Sequence, residues 1–335
     1  MHILFVCKAS THIGFGHLIR SKTLASKLSR RGDVRVTLAA FGDEAARRLL
    51  RGAPFEWHCY FEEDDLVLNR RYDLCFFDMT QLKRETFYRV AEKTRLCAGL
   101  SPVFNLMSEL DLLFHRTRYF EPAPERGAPK KLYAGLEYAI IQENCTRIST
   151  ATYESNLELE RFPVALSMGG GDAANLTLRF LRVLKECPIP ATFWVMLGEG
   201  YRHSYDELVE EVSVDGKHEI ILAKTNRSMW QILKNGVLSI LPSGITSFEA
   251  AYAGLPSINF LYDARQAFLL RELVEHNVCF LGGVINGDTL DKVNEQIERL
   301  YADRRTLLQY HINSKGLIPE DSSGNILEVC RRELS

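Results

Sequence analysis

Residues 12–28 read HIGFGHLIRSKTLASKL. Gly14 and Gly16 stand between the apolar run ILFVCK and a stretch of helical spacing, and His17 follows at the joint. Glycine lets the chain turn sharply and brings backbone close to a ligand. The amides that open a helix attract anions and disfavour an imidazolium. His17 is therefore set as a neutral imidazole able to take a proton from water or a hydroxyl, an effect that a bound diphosphate would oppose. Arg20, three residues on along the same helix face, could meet an anion. The alternative is that His17 only fills the helix terminus. A dinucleotide fingerprint would need a glycine where Ile19 stands, and no G-K-[ST] follows any glycine cluster. Neither a nicotinamide enzyme nor a P-loop is expected.

Two further joints carry similar chemistry. In SMGGGDAANLTLRFL, Gly169, Gly170 and Gly171 give side-chain-free backbone ahead of a helix, suited to wrap a phosphate. The competing reading is a tight loop with Asp172 or Asn175 as N-cap; Asp172, being acidic, is expected to cap the helix and point away from any phosphate. In LPSGITSFEAAYAGLP, Ser243 and Gly244 end a strand and a short helix carries Glu249. A carboxylate has two acceptor oxygens and can hold both hydroxyls of a ribose. Thr246 and Glu249 also fit the capping box, in which the glutamate merely satisfies a helix-terminal amide.

The elements that must position these joints alternate. HILFVCK, VRVTLAA, LCFFDM and RLCAGLS read as strands, and residues 17–30, DEAARRLL and about 81–94 as helices. Residues 117–131 read as an exposed loop, YAGLEYAII returns to strand character, and QENCTRISTATYES looks like a linker. The second half repeats the pattern: VALSMGGG leads to a helix at about 175–185. ATFWVMLG, IILAK, VLSIL, PSINFLY and VCFLGG read as strands, 287–311 as helical, and PEDSSGNILEVCRREL as a closing helix. Strands apolar on both faces suit parallel sheets covered by helices. The expected fold is α/β, with two Rossmann-like doubly wound parallel-sheet domains facing each other across a cleft. The expected boundaries are 1–150 and 151–319, with a helix at about 320–335 packing back on the first domain.

The bulk numbers exclude other classes. A chain of 335 residues exceeds what one core usually serves. Net charge is −2 and the isoelectric point about 6.5, so no basic excess is present to hold nucleic acid. The eight cysteines form no C-x-x-C pair and there is no H-E-x-x-H, so neither a disulfide framework nor a bound metal is indicated. MHILFVCK lacks the features of a signal peptide, and no apolar run nears the roughly 20 residues of a membrane span. The expectation is a cytoplasmic protein with no cofactor, no nucleic-acid partner and at most peripheral membrane contact. The sequence sets no oligomeric state.

Together the pieces IGFGHLIR, SMGGGDAANLT, YAGLEYAII and SGITSFEAAYAGLP resemble the GT-B nucleotide-sugar enzymes. More narrowly, they resemble the UDP-sugar hydrolase of pseudaminic acid biosynthesis and its spore-coat polysaccharide relatives. The resemblance implies that Gly14 and Gly16 face the sugar and that His17 is the catalytic base. It implies that Gly169–Gly171 lie near the diphosphate, with Ser243 and Gly244 as a second phosphate-facing turn; Ser247 is counted with them. Glu249 matches the ribose-binding carboxylate, and Gln266, in YDARQAF, a glutamine close to the donor sugar. Three departures fall on the sugar half. Asp78-Met79-Thr80 stand where the hydrolases carry Asp-His-Tyr, Arg265 stands where an Asn usually precedes the glutamine, and Ser101-Pro102 replace an acidic pair. The pseudaminic precursor is therefore not carried over as the substrate.

The function expected from the sequence is hydrolysis of a nucleotide-diphosphate sugar, UDP-linked, in surface polysaccharide or nonulosonic acid biosynthesis, with His17 as general base. An inverting glycosyltransferase using the same donor site and a catalytically inactive nucleotide-sugar-binding protein are the alternatives.

Overall fold

A computed structural model describes all residues except 199, 214–216 and 225–228. The chain divides into two compact units: residues 1–142 with 319–335, and residues 143–318. The first boundary thus falls earlier than residue 150.

Unit 1 runs β1 (His2–Ala9), α1 (Gly16–Ser29), β2 (Arg35–Gly42), α2 (Glu44–Leu50), β3 (Glu56–Tyr60), β4 (Tyr72–Asp78), α3 (Arg84–Ala91), β5 (Thr94–Gly99), β6 (Leu112–His115) and β7 (Lys131–Ala134). All pairings are parallel, in the order β3-β2-β1-β4-β5-β6-β7. Strand order reverses between β1 and β4, where Cys7 is the register partner of Asp78.

Unit 2 runs α4 (Thr150–Leu157), β8 (Phe162–Ser167), α5 (Leu176–Leu184), β9 (Ala191–Leu197), α6 (Tyr205–Ser213), β10 (Glu219–Lys224), α7 (Met229–Leu233), β11 (Leu238–Pro242), α8 (Ile245–Ala253), β12 (Ser257–Leu261), α9 (Phe268–Glu275), β13 (Cys279–Val284), α10 (Gly287–Ala302) and α11 (Arg304–Asn313). Its sheet, also parallel, is ordered β10-β9-β8-β11-β12-β13, so the reversal lies between β8 and β11. In such sheets ligands sit outside the carboxyl ends of the strands at the reversal.

The last helix, α12 (Ser322–Leu334), returns to unit 1. Its Ile326, Leu327, Val329 and Cys330 are buried in the same core as Ile3, Phe5, Leu24 and Leu28. Glu333 accepts from Tyr133 Oη at 2.8 Å, and Arg31 reaches Asp321 at 2.8 Å. Burying four such side chains stabilises unit 1 by several kcal/mol, at about 1.5–3 kcal/mol for a large aliphatic side chain.

Some local expectations are corrected. The polar stretch read as a linker becomes helical at Thr150, because Ser149 caps it by accepting from Thr152 N at 3.1 Å and Tyr153 and Leu157 are buried along one side. YAGLEYAII is strand only to Ala134; Gly135, at φ +154°, turns the chain into a 3-10 turn at Leu136–Tyr138. Residues 287–311 form two helices, broken at Asp303, whose carboxylate caps the second by accepting from Thr306 N at 3.3 Å. No helix among the described residues is long and apolar enough to cross a membrane.

Candidate functional site

The mouth of unit 1 is built around the loop between β1 and α1. Gly14 N donates to Ser10 O at 2.8 Å and closes a five-residue turn, which requires φ +87° at Gly14. Ser10 Oγ accepts from His12 N and Ile13 N at 3.2 and 3.3 Å. Thr11 N and Oγ1 both donate to Asp43 Oδ2, at 2.9 and 2.7 Å, while Asp43 Oδ1 caps α2 through Ala46 N at 3.0 Å. Burial pushes the Asp43 carboxyl up, but hydrogen bonds from Thr11 and Ala46 outweigh it and hold the group below the ordinary carboxylate range. The loop is thus tied to the neighbouring strand–helix joint, and α1 begins at Gly16 with no side-chain cap and no acidic residue in its first turn.

His17, second in that helix, points its Nδ1 at Asp78 Oδ1, 2.7 Å away. Asp78 closes β4 and has no exposed surface. Burial alone would raise its carboxyl. The Arg20 guanidinium foremost, then His17, with hydrogen bonds from both, hold it well below the usual range instead. An ionised carboxylate only accepts, so the proton of the His17 ring sits on Nδ1 and Nε2 is left as the basic atom. The His17 side chain keeps about a quarter of its surface open (26%).

Arg20 was expected to meet an anion. In the structure it is buried, with Nε on Asp78 Oδ2 at 2.8 Å and Nη2 on Oδ1. Ser101 Oγ lies 3.0 Å from the same Oδ1, and Ser21 Oγ 3.2 Å from Oδ2. Asp78 and Ser101 were noticed in the sequence only as departures from a pattern. The signal available was a carboxylate at the end of the strand that pairs with β1.

In unit 2 the expected residues gather at the reversal between β8 and β11, with exceptions. Gly169 (φ +85°), Gly170 and Gly171 follow β8. A Cβ on Gly198 would come 2.4 Å from Gly170 O, and Gly200 N donates to that oxygen at 2.9 Å. The loop after β9 therefore packs directly on the glycine run. Tyr201 Oη donates to Asn175 Oδ1 at 2.9 Å and His203 Nε2 lies 2.8 Å from Asp172 O. These bracing residues were not singled out; the glycines at 198 and 200, at the end of the ATFWVMLG stretch, were the available cue.

Asp172 caps α5 as expected: Oδ1 and Oδ2 accept from Leu176 N and Thr177 N at 2.7 and 2.8 Å. These two amides are therefore committed, which leaves the loop amides rather than the start of α5 for a phosphate. Helix α8 differs. Its N-cap is Gly244, with no side-chain cap and no acidic residue in the first turn. A Cβ at Gly244 would meet only Pro242 O at 4.0 Å, and φ −139° is open to any residue, so the fold itself does not demand glycine there.

The capping-box reading of Glu249 fails, because the helix starts at Ile245 and puts Thr246 inside it. Glu249 is fully buried. Ser247 is also fully buried, its Oγ 2.7 Å from Asn259 Oδ1 and 3.0 Å from Pro242 O, so its hydroxyl is spent inside unit 2. Ser243 and Gln266 are brought together, with Oγ donating to Oε1 at 3.1 Å. Arg265 folds back on Asp263, which its fork holds down to about 2. Among the described residues no group of three or more His, Cys, Asp or Glu side chains gathers as a metal-ligand set.

No family model matches the chain. It is 22% identical over 275 residues to the uncharacterized protein MJ1062 of Methanocaldococcus jannaschii, covering 77% of this chain and 55% of that protein. The chain thus spans about half the length of the curated relative it matches. Among solved structures it is similar to Acinetobacter baumannii MurG (TM-score 0.65, 14% identity, 99% of this chain and 100% of that one). It is similar to Anabaena HepE in complex with UDP and glucose (0.63, 16%, 99% and 100%). It is also similar to the UDP-GlcNAc 2-epimerase of Neisseria meningitidis bound to UDP-GlcNAc (0.63, 12%, 99% and 100%). These neighbours are GT-B nucleotide-sugar enzymes, and at such identities the likeness carries the fold. With two parallel Rossmann-like sheets of seven and six strands, the chain has the GT-B fold.

Proposed function

We propose that the protein hydrolyses a nucleotide-diphosphate sugar, UDP-linked, with His17 as general base. The observation that carries this reading is the pairing of His17 Nδ1 with the buried carboxylate of Asp78 at the strand reversal of unit 1. In the proposed step, Nε2 takes a proton from water as the water oxygen bonds to the anomeric carbon. The bond from that carbon to the phosphate oxygen breaks, and its electron pair leaves with the nucleoside diphosphate. Asp78 orients the ring and stabilises the imidazolium that forms.

Unit 2 supplies the nucleotide-binding groups. The amides of Gly169–Gly171 and the uncapped start of α8 at Gly244 receive the diphosphate and stabilise the charge that grows on it. Ser243 and Gln266 flank that turn, and Glu249 is assigned to the ribose. Support for UDP comes from the fold likeness to HepE in complex with UDP and glucose and to the epimerase bound to UDP-GlcNAc. A role in surface polysaccharide or nonulosonic acid biosynthesis rests on the sequence resemblance alone.

A transferase reading is favoured by a further neighbour, UGT2 of Phytolacca americana, complexed with UDP-2-fluoro-glucose and pterostilbene (TM-score 0.61, 14% identity). The donor chemistry is the same and the attacking hydroxyl differs. Incubation with UDP-sugars alone separates the two: steady UDP and free sugar without acceptor support the hydrolase, and release only on adding an acceptor supports the transferase. An altered sugar still joined to UDP contradicts both.

A further inference from the structure

Oδ1 of Asp78 meets three donors: His17 Nδ1 at 2.7 Å, Ser101 Oγ at 3.0 Å, and Arg20 Nη2. Arg20 Nη2 also lies 3.2 Å from His17 Nδ1. With the ring proton on Nδ1, this is two donors converging on one oxygen and not a bond between them. A lone carboxylate beside an imidazole would do two things together. It would orient the ring, and its charge would hold the proton that the ring takes up. A base working near neutral pH gains from the first and is hindered by the second, since it must begin neutral. A guanidinium forked across both oxygens of the same carboxylate separates the two effects: it offsets the charge, while Oδ1, shared with Arg20 and Ser101, still accepts from His17. Arg20 stands three residues after His17 in α1, so the helix fixes the spacing of the two side chains.

We propose that Arg20 is a positioning residue whose fork pins Asp78 against His17 and offsets its charge, keeping the ring oriented and neutral, and that it is not a ligand for a substrate anion. This rests on His17 being the base. The other groups that face the cluster are consistent with it. On β1, burial foremost and then Asp78 push the Cys7 thiol up, so it stays uncharged. After β6, burial and then Arg20 draw Arg116 down to about 9, so it remains a cation at neutral pH. Burial and then Arg116 hold His115 at about 3, which keeps it neutral.

The test follows His17 directly. Full-length protein carrying 15N-histidine, with the His17 signals assigned by comparison with H17Q, is titrated by NMR as wild type, R20K and R20M. UDP-sugar turnover is recorded against pH on the same proteins. In R20M the pH at which His17 takes up its proton should rise by about one unit or more, as expected for removal of a charge close beside the ring. The acidic limb of the rate profile should move with it, and donor KM should change little. R20K keeps the charge without the fork; it should titrate close to wild type yet lose kcat, because the carboxylate is less firmly held. If R20M fails to fold, R20Q carries the same expectation. An unmoved His17 titration together with a raised donor KM would make Arg20 an anion ligand and overturn the proposal. A titration that moves as stated while H17Q turns over at the wild-type rate would sink the base reading and leave the role of Arg20 standing.

Discussion

His17 and Asp78 are 61 residues apart in sequence and 2.7 Å apart in space, Nδ1 to Oδ1. The parallel pairing of β1 with β4 brings them together, because it sets the end of β4 beside the loop that leaves β1. In the proposed mechanism the pair divides the labour of a base: Asp78 fixes which nitrogen carries the proton, and His17 presents the other.

Asp78→Asn tests that division. An asparagine amide turned toward Nδ1 would donate to it and move the ring proton to Nε2. Turnover should fall by about 10⁴-fold, the size seen when the orienting carboxylate of a His–Asp pair becomes an amide. The substitution also leaves Arg20 buried without its charge partner, which costs about 3–5 kcal/mol. Thermal unfolding and steady-state kinetics on the same sample check both. A variant that is stable and fully active would remove Asp78 from the account.

Stability should decline in acid, in two stages. His115 is held at about 3, first by burial and then by Arg116, whereas an unfolded histidine titrates near 6.5. Between those values the unfolded chain binds the extra proton, so stability falls as pH drops, by at most about 1.4 kcal/mol per pH unit. The Asp78 carboxyl is depressed, so its contribution is complete above about pH 4 and is lost below it. Urea midpoints from pH 7 to 4 should therefore fall in the wild type and less steeply in His115→Gln. Equal slopes would show that His115 is not the group responsible.

Two glycines of unit 2 should behave oppositely. Gly198→Ala drives a Cβ to 2.4 Å from backbone at Gly170, so the packed loops must part. It should cost about 1–3 kcal/mol of stability, as overpacking does, and weaken nucleotide binding through the displaced glycine run. Gly244→Ala has room and an unstrained φ of −139°. Its melting temperature should stay near wild type, and a loss of UDP affinity would then report a ligand approaching the start of α8. Thermal shift with and without UDP reads both.

Much of the fold was legible because both sheets are parallel and buried on two faces, which writes β8, β9, β11 and β12 as continuous apolar runs between helical patterns. What escaped was short or locally ambiguous. Strand β6 is four residues, LLFH, and β3, EWHCY, is partly exposed, so neither shows a clear period. The helix at Thr150 looks polar because only Tyr153 and Leu157 face inward. At the site, the glycine turns and His17 were visible as a motif. The pairing of His17 with Asp78, on which Ser101 also sits, was not, since strand order alone brings them together. Ser247 and Arg20 sit on neighbours, Asn259 and Asp78, for one reason: a polar side chain near a joint can be spent on a neighbour, and only packing reveals which.

Glu249 offers a check on the nucleotide half. It is fully buried on α8, whose start carries no side-chain cap. Glu249→Gln keeps shape and removes charge. If the carboxylate holds the ribose, UDP affinity should drop by about 10–100-fold, the worth of hydrogen bonds to a charged group. Calorimetry with UDP against UDP-sugar measures it; unchanged affinity would remove Glu249 from the ribose.

The most direct measurement is acceptor-free release of UDP from UDP-sugars by wild type and by His17→Ala, with UDP binding measured alongside. The account predicts a loss of about 10²–10⁴-fold in turnover, the usual contribution of a general base, with UDP affinity and melting temperature retained. Equal turnover by the two proteins would contradict it.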